Sequence, residues 1–357
     1  MIAVSSLLRR AVYPTMSRTK MFSRRVGAGE VCVLTYHGVL GEGVPGNSPI
    51  AGALISADQF RRQLRFLKSR YQLISPEVFR AWLKKGGSLP KRAVLLTCDD
   101  GLRSVLTGMV PILIEEEAQC LFFVTGRSLE ESGGGLWYED LYRMVKAAPD
   151  DAKLAVGGKR VRKDSLSDQQ LVGMWWSLVE EYSKQNSGDR ARTLCALQGE
   201  WRLPESKNER EADGHSLMNR HELEELAGQG MSVGAHTMSH PVLAKMSLEL
   251  AAEEIRDSKT RLESLLRQEI WALAYPFGHP GSAGVREMNM AEAAGYDCAF
   301  LNFGGGLLRQ SNPRFGLPRA HVTGEMSMAE MEAHLSGFHE ALQRRFRGEG
   351  GVLASCA

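Results

Sequence analysis

From Glu30 onward the chain alternates short, almost wholly apolar runs with longer amphipathic ones, and this alternation constrains the fold more than any other feature. A strand without polar alternation is buried on both faces, the situation of a parallel strand packed under helices. Seven such runs stand out: Val31 to Tyr36, Ala93 to Cys98, Cys120 to Thr125, Met231 to His236, Trp271 to Tyr275, Cys298 to Asn302 and Leu317 to Val322. Between them, Ser56 and Gln59 form a capping-box pattern before a helix in which Phe60, Leu64 and Leu67 share a face. Further helices are expected near Val105 to Ala118, Arg220 to Ala227, Ser247 to Arg267, Arg286 to Ala294 and Ser327 to Arg344. Repeated βα units of this kind predict an α/β fold, a distorted, incomplete (β/α) barrel of seven strands over residues 30–345.

Residues from about 130 to 218 break the alternation and read as an insertion in one βα loop, with a hairpin expected at Gly157 and Gly158. The insertion holds Trp137, Tyr138, Trp175, Trp176 and Trp201, which either roof a sugar site or build a small satellite core. Residues 1–29 form a basic segment: Arg9, Arg10, Arg18, Lys20, Arg24 and Arg25 occur before the first acid, Glu30. With Ile2, Val4, Leu7, Leu8 and Val12 it suits peripheral contact with an anionic membrane surface, a transit peptide, or a disordered tail. Residues 346–357 read as a C-terminal tail. No run reaches the roughly 18 apolar residues of a membrane span or a clear signal peptide, so the expected location is the cytoplasm, with the inner membrane surface as its variant. Lys plus Arg total 44 against 42 Asp plus Glu, so no general attraction to nucleic acid is expected. The six cysteines lack metal-ligand spacing and read as reduced thiols.

Two motifs carry chemistry. The run Val94-Leu95-Leu96-Thr97-Cys98 stops on Asp99-Asp100-Gly101, and two adjacent carboxylates at the end of a buried strand call for a cation or donors to meet them. The run Gly234-Ala235-His236-Thr237-Met238-Ser239-His240-Pro241 places two imidazoles four positions apart at another strand end, before a helix that Pro241 can start. Parallel strands in a barrel all open their carboxyl ends on one face. One Asp and two His therefore make a facial metal site with open positions.

These motifs, with Leu34-Thr35-Tyr36-His37-Gly38-Val39 and Ala274-Tyr275-Pro276-Phe277-Gly278 in the same order, resemble the polysaccharide deacetylase family, also called the NodB-homology or carbohydrate esterase family 4 group. The resemblance implies a TIM-like distorted barrel and Asp99 as catalytic base. It implies that Asp100, His236 and His240 hold a divalent ion, usually zinc, with Co2+, Ni2+ or Fe2+ as alternatives. It places His37, Tyr275, Pro276 and Phe277 on the substrate side, and N-acetylated amino sugars as substrates. The sequence departs from the pattern in three places. Cys98 stands where the family usually has Phe. The third motif lacks the Arg that orients the base, and Arg319 is the expected replacement. No clear Leu-x-His general acid is present, so His321 is the first candidate, then His37 and His279.

The expected reaction has Asp99 taking a proton from a metal-bound water, the backbone N–H of Tyr275 stabilising the oxyanion, and a protonated His donating to the leaving amine. Other amides cleaved by the same site, or a catalytically silent glycan-binding protein, are the competing readings. Oligomeric state is not legible in the sequence.

Overall fold

The computed structural model describes residues 8–24, 26–40, 54–129, 134–203, 215–305 and 307–347. Seven strands form the barrel: β1 (Glu30–Tyr36), β2 (Ala93–Cys98), β3 (Leu121–Val124), β4 (Ser232–Ala235), β5 (Ala272–Ala274), β6 (Cys298–Gly304) and β7 (Leu317–His321). They correspond to the seven apolar runs. Each lies parallel to its neighbours in sequence, and β1 closes the ring by pairing with β2 from Val31↔Ala93 to Tyr36↔Cys98 and with β7 at Leu34↔Ala320 and Thr35↔His321. The ring is distorted: β4 and β5 share only the pair Leu273↔Ala235, and the register shifts along β6 between Phe300 and Gly304.

The continuous apolar character of the strands reflects two cores. Val33, Leu95, Phe123, Ala272, Ala274, Phe300 and Leu317 fill the barrel interior with Phe79 and Trp82 of the helix Pro76–Lys85. Val94, Leu96, Cys98, Val124 and Leu273, on the alternate positions, pack beneath the outer helices. Phe60, Leu64 and Leu67 are fully buried there, as their spacing predicts. Their helix, Ala57–Arg70, shows where local and tertiary preferences compete. Ser56 Oγ accepts from Gln59 N–H, but the Gln59 side chain donates to Gly324 O at 2.7 Å, so only half of the capping box forms. Two expected helices are broken: 105–118 becomes Ser104–Gly108 and Val110–Glu115, with Pro111 in the first turn of the second. The other becomes Met328–Leu335 and Phe338–Arg347, separated at Gly337 with φ +65°.

The insertion lies between β3 and β4. It contains α1 (Trp137–Ala147), the hairpin Lys153–Val156 with Lys159–Arg162, α2 (Asp168–Tyr182) and α3 (Ser187–Glu200). Gly157 and Gly158 both have positive φ, as a two-residue hairpin turn requires. Trp137, Tyr138, Trp175 and Trp201 are buried in a separate core with Leu141, Leu178 and Val179, so the satellite-core alternative describes most of these aromatics.

The basic N-terminal segment docks from residue 8 onward. Tyr13 and Phe22 bury against Ala333, with Leu8 and Val12 packed beside them. Ser17 Oγ and Arg70 donate to the fully buried Glu332 at 2.5 and 2.9 Å, and Arg9 pairs with Glu330 at 3.0 Å. The disordered-tail reading does not hold for residues 8–24, and Leu8 and Val12 face protein; Ile2, Val4 and Leu7 lie outside the described residues. Cys32, Cys98, Cys120 and Cys298 are buried and unbridged, Cys195 is exposed, and Cys356 lies outside the described residues. Among the described residues no helix is long and apolar enough to cross a membrane.

Candidate active site

Five strand ends supply the site: His37 follows β1, Asp99 and Asp100 follow β2, His236 and His240 follow β4, the 275–278 turn follows β5, and Arg319 and His321 stand at the end of β7. Residues tens to hundreds of positions apart meet because parallel strands share a carboxyl end.

Asp100, His236 and His240 converge as their types suggest. Asp100 Oδ1 lies 3.4 Å from His236 Nε2 and 3.2 Å from His240 Nε2, and one ligand atom from each residue falls within 4.8 Å of the others. All three side chains are buried. His236 Nδ1–H donates to Ala274 O at 2.7 Å, which turns the lone pair of Nε2 toward the carboxylate. Two acceptors that face each other in a dry site repel unless a proton or a cation lies between them, and Asp100 Oδ2 is buried without a hydrogen-bond partner. One oxygen and two nitrogens thus fit a divalent metal ion. Burial alone would push the Asp100 pKa up, but contact with the two imidazoles holds it well below the usual carboxylate range. Burial lowers both histidines; for His236 the contact with Asp100 outweighs it and the net shift is upward, whereas His240, beside His236, stays lowered.

Asp99 sits next to this group in a different setting. Arg319 Nη1 donates to its Oδ1 at 2.7 Å and Nη2 to its Oδ2 at 2.6 Å, a two-pronged pair with 0% and 2% of the side chains exposed. The guanidinium is fixed by Leu301 O at 3.0 Å and Thr97 Oγ at 3.1 Å, and it lies over the rings of Phe123 and Phe300. Burial raises the Asp99 pKa, but the Arg319 charge and hydrogen bonds, with the nearby imidazoles of His236 and His37, together outweigh it, and the net shift is downward. The cation absent from the third motif thus reaches Asp99 from β7, because positions 317, 319 and 321 share the inner face of a regular strand.

His321 and His37 face each other with ring centroids 4.7 Å apart, and His321 Nε2 and His37 Nδ1 are buried without hydrogen-bond partners. Burial, and then the charge of His37, pull the His321 pKa down to about 3. His279 instead packs beside Trp176, with its Nδ1 accepting from Gly281 N–H. Two expectations are corrected. The Tyr275 N–H donates to Phe300 O at 3.0 Å as part of the β5–β6 pairing, and the Tyr275 side chain is core, with its hydroxyl on Phe315 O; neither is free to meet substrate. Pro241 starts no helix: the His236–His240 loop runs into a short 3-10 turn at Leu243–Lys245, and Thr237 and His240 take left-handed backbone conformations.

Asp100, Thr237, His240 and Phe277, all non-glycine residues, have φ between +54° and +75°. Such strain persists only where the surroundings enforce it, and here it gathers around the three candidate ligands. The enforcing contacts were not legible in the sequence. Trp137 Nε1 donates to His240 O at 2.9 Å; Glu254 of α4 (Leu248–Leu266) accepts from Ser239 N and Oγ; and Arg190 bonds to Ser239 Oγ. Tyr138 stacks at 4.9 Å from the His240 ring, Phe277 at 4.7 Å, and Trp176 at 5.1 Å from Phe277. The insertion therefore adds an aromatic wall beside the ligands. Pro276 is buried.

Gly278, with φ +63°, tests this packing: a Cβ there would stand 2.2 Å from Asn302 N. Gly278→Ala is expected to cost about 3 kcal/mol or more, from overpacking plus left-handed strain, and to show as a lowered melting temperature.

The sequence model for polysaccharide deacetylases matches residues 197–299. The match includes His236, His240 and the 274–278 motif; Asp99, Asp100 and Arg319 lie outside it. A comparison with curated sequences finds no match. Among solved structures, the Streptococcus pyogenes deacetylase PplD, determined in complex with acetate, superposes with TM-score 0.54 at 20% identity, over 86% of this chain and 98% of that one. The de-N-acetylase from Aggregatibacter actinomycetemcomitans gives 0.54 at 13% identity, over 86% and 100%. IcaB from Ammonifex degensii gives 0.52 at 19%, over 86% and 97%. At these identities the likeness establishes a shared (β/α) barrel. The resemblance to polysaccharide deacetylases read from the motifs is thus met by the family's own sequence model and by its fold.

Proposed function

We propose that this chain is a metal-dependent hydrolase that removes N-acetyl groups from N-acetylated amino sugars and releases acetate. The observation that carries this reading is the pairing of two unlike carboxylates: Asp99, held ionised by Arg319, beside Asp100, which faces two imidazoles. Asp100, His236 and His240 would hold the ion, which when bound lowers the pKa of a water and polarises a carbonyl.

Asp99 is the base. Its depressed pKa makes it a weak one at neutral pH, but it is ionised at all working pH values, and it needs to take a proton only from an acidified water. Arg319 fixes the orientation of both carboxylate oxygens. With Tyr275 N–H occupied, the oxyanion donor is assigned to Phe277 N–H, which makes no backbone hydrogen bond among the described residues and belongs to a strained residue against His240. Phe277 and Trp176, both half-buried, present ring surface suited to the apolar face of a pyranose, with the buried Tyr138 packed behind Phe277. His321 Nε2 delivers the proton to the leaving amine, acting as a relay: at about 3 its pKa leaves it neutral at rest, so it takes up the proton that Asp99 has removed from the water and passes it on to the amine nitrogen as the C–N bond breaks. His321→Ala is accordingly expected to lower kcat by about 10²- to 10⁴-fold, least on substrates with good leaving groups, without removing any limb of the pH profile near neutrality. An unchanged rate would transfer the role to His37.

The defining experiment measures acetate release from N-acetylglucosamine oligomers by the zinc-loaded protein, against a panel of cyclic imides and other N-acyl amides. Turnover confined to the panel would keep the hydrolase and replace the substrate. Zinc-loaded protein inert on both would favour glycan binding without catalysis.

A further inference from the structure

The two candidate histidine ligands are held in different ways. His236 belongs to the barrel: its N–H donates to Val124 O at 2.9 Å and its Nδ1–H to Ala274 O at 2.7 Å, so main chain and ring are both fixed by strands. His240 lies farther along the loop, and its Nδ1 is buried without a hydrogen-bond partner among the described residues. A metal-binding imidazole ordinarily gives its second nitrogen to an acceptor that sets the direction of the ring. His240 lacks that acceptor, and its main chain is left-handed, with φ +54°. Within the loop its N–H donates to Thr237 Oγ at 3.1 Å; the remaining restraint comes from outside. Trp137, the first residue of α1, donates from Nε1 to His240 O at 2.9 Å, and the ring of Tyr138, the next residue, lies 4.9 Å from the His240 ring. One position before His240, Ser239 joins two groups of opposite charge: Arg190 of α3 donates to its Oγ, and Glu254 of α4 accepts from its N–H and its Oγ. Arg190 lies 4.5 Å over the Trp137 ring, so the two contacts from the insertion brace one another.

We propose that Trp137 and Arg190 are positioning residues for the metal centre: they hold the main chain of His240 in place of the absent ring acceptor, and so set how tightly the ion is bound. The insertion is then part of the metal centre although it supplies no ligand. The physical reason is the strain at His240. A left-handed non-glycine residue keeps its conformation only while its surroundings enforce it, and a ligand that relaxes in the metal-free protein has to be ordered again at the expense of affinity. The inference rests on the reading of Asp100, His236 and His240 as ligands.

The test measures the zinc affinity of the full chain by competition with a chromophoric chelator, independently of turnover. Trp137→Phe keeps a ring against Arg190 and removes the N–H that His240 O accepts; it is expected to weaken zinc binding by about 10- to 100-fold. Trp201→Phe is the control for lost volume, because Trp201 lies in the same satellite core and its Nε1 has no hydrogen-bond partner among the described residues; it should bind zinc as wild type does. A purely structural role would lower the melting temperature of the apoprotein in both variants and leave the surroundings of the ion alone. The visible spectrum of the Co2+-loaded protein reads those surroundings, since it reports ligand geometry: it should differ from wild type in Trp137→Phe and match it in Trp201→Phe. Wild-type zinc affinity in Trp137→Phe, an equal loss in Trp201→Phe, or an unchanged Co2+ spectrum in Trp137→Phe would each overturn the proposal. Wild-type protein that binds no zinc would overturn the ligand set itself, and this inference with it. If Trp137→Phe does not fold, Ser239→Ala, which cuts the Arg190 contact and leaves α1 whole, takes its place under the same criteria.

Discussion

Asp99→Asn is expected to lower kcat/KM by about 10³-fold or more while leaving bound metal in place, because the amide retains the carboxylate's shape but cannot accept a proton from water. The structure adds a second consequence. Asp99 and Arg319 form a fully buried pair, and removing one charge of such a pair strands the other; the general cost is about 3–5 kcal/mol, less where Asn keeps an acceptor for the guanidinium. The variant should therefore melt lower than wild type, and activity must be measured well below that temperature. Arg319→Met separates charge from proton transfer. Without the guanidinium, burial dominates and the Asp99 pKa rises, so the acid limb of the kcat/KM profile moves to higher pH. The linkage has a fixed sign: a carboxylate whose folded pKa is depressed contributes stability that is present above its unfolded pKa and is lost as pH falls through the folded one. Arg319→Met should lose that acid-sensitive contribution. A profile and melting curve identical to wild type would remove Arg319 from the site's chemistry.

Asp100→Ala, His236→Ala and His240→Ala are each expected to weaken zinc binding by at least about 100-fold, because two remaining ligands hold a divalent ion poorly. Metal analysis after dialysis reads this directly, and melting provides a second readout that does not depend on turnover. Zinc at about 100 times its dissociation constant should stabilise wild type by about 2.7 kcal/mol, and the three variants should show no such shift at the same zinc concentration. Full zinc retention by any of the three would reject the ligand set.

Much of this protein is readable from its sequence because the relevant signals are local. An uninterrupted apolar run has to bury both faces, so seven runs predict seven parallel strands, and parallel strands commit Asp99, Asp100, His236 and His240 to a single open face. The hairpin at Gly157 and Gly158 is equally local, since two successive positive-φ residues demand glycine. The arrangement of Arg319 was legible only conditionally, through strand periodicity that the structure had to supply.

What the tertiary structure decided depends on groups far apart in the chain competing for the same donor, acceptor or space. Tyr275 N–H goes to Phe300 O because β5 and β6 pair at that position, which no local signal records. Gln59 leaves its helix cap for Gly324 O, and the basic segment 8–24 covers the domain through Glu332, for the same reason. Tyr138 and Trp176 reach the site while Trp137, Trp175 and Trp201 support it from within a separate core, although all five looked alike as aromatic residues of an insertion. Sequence determined which side chains could do chemistry and which backbone elements would carry them. Packing determined their partners, because hydrogen bonding and close packing allow each buried group few places and settle those places jointly over the whole chain.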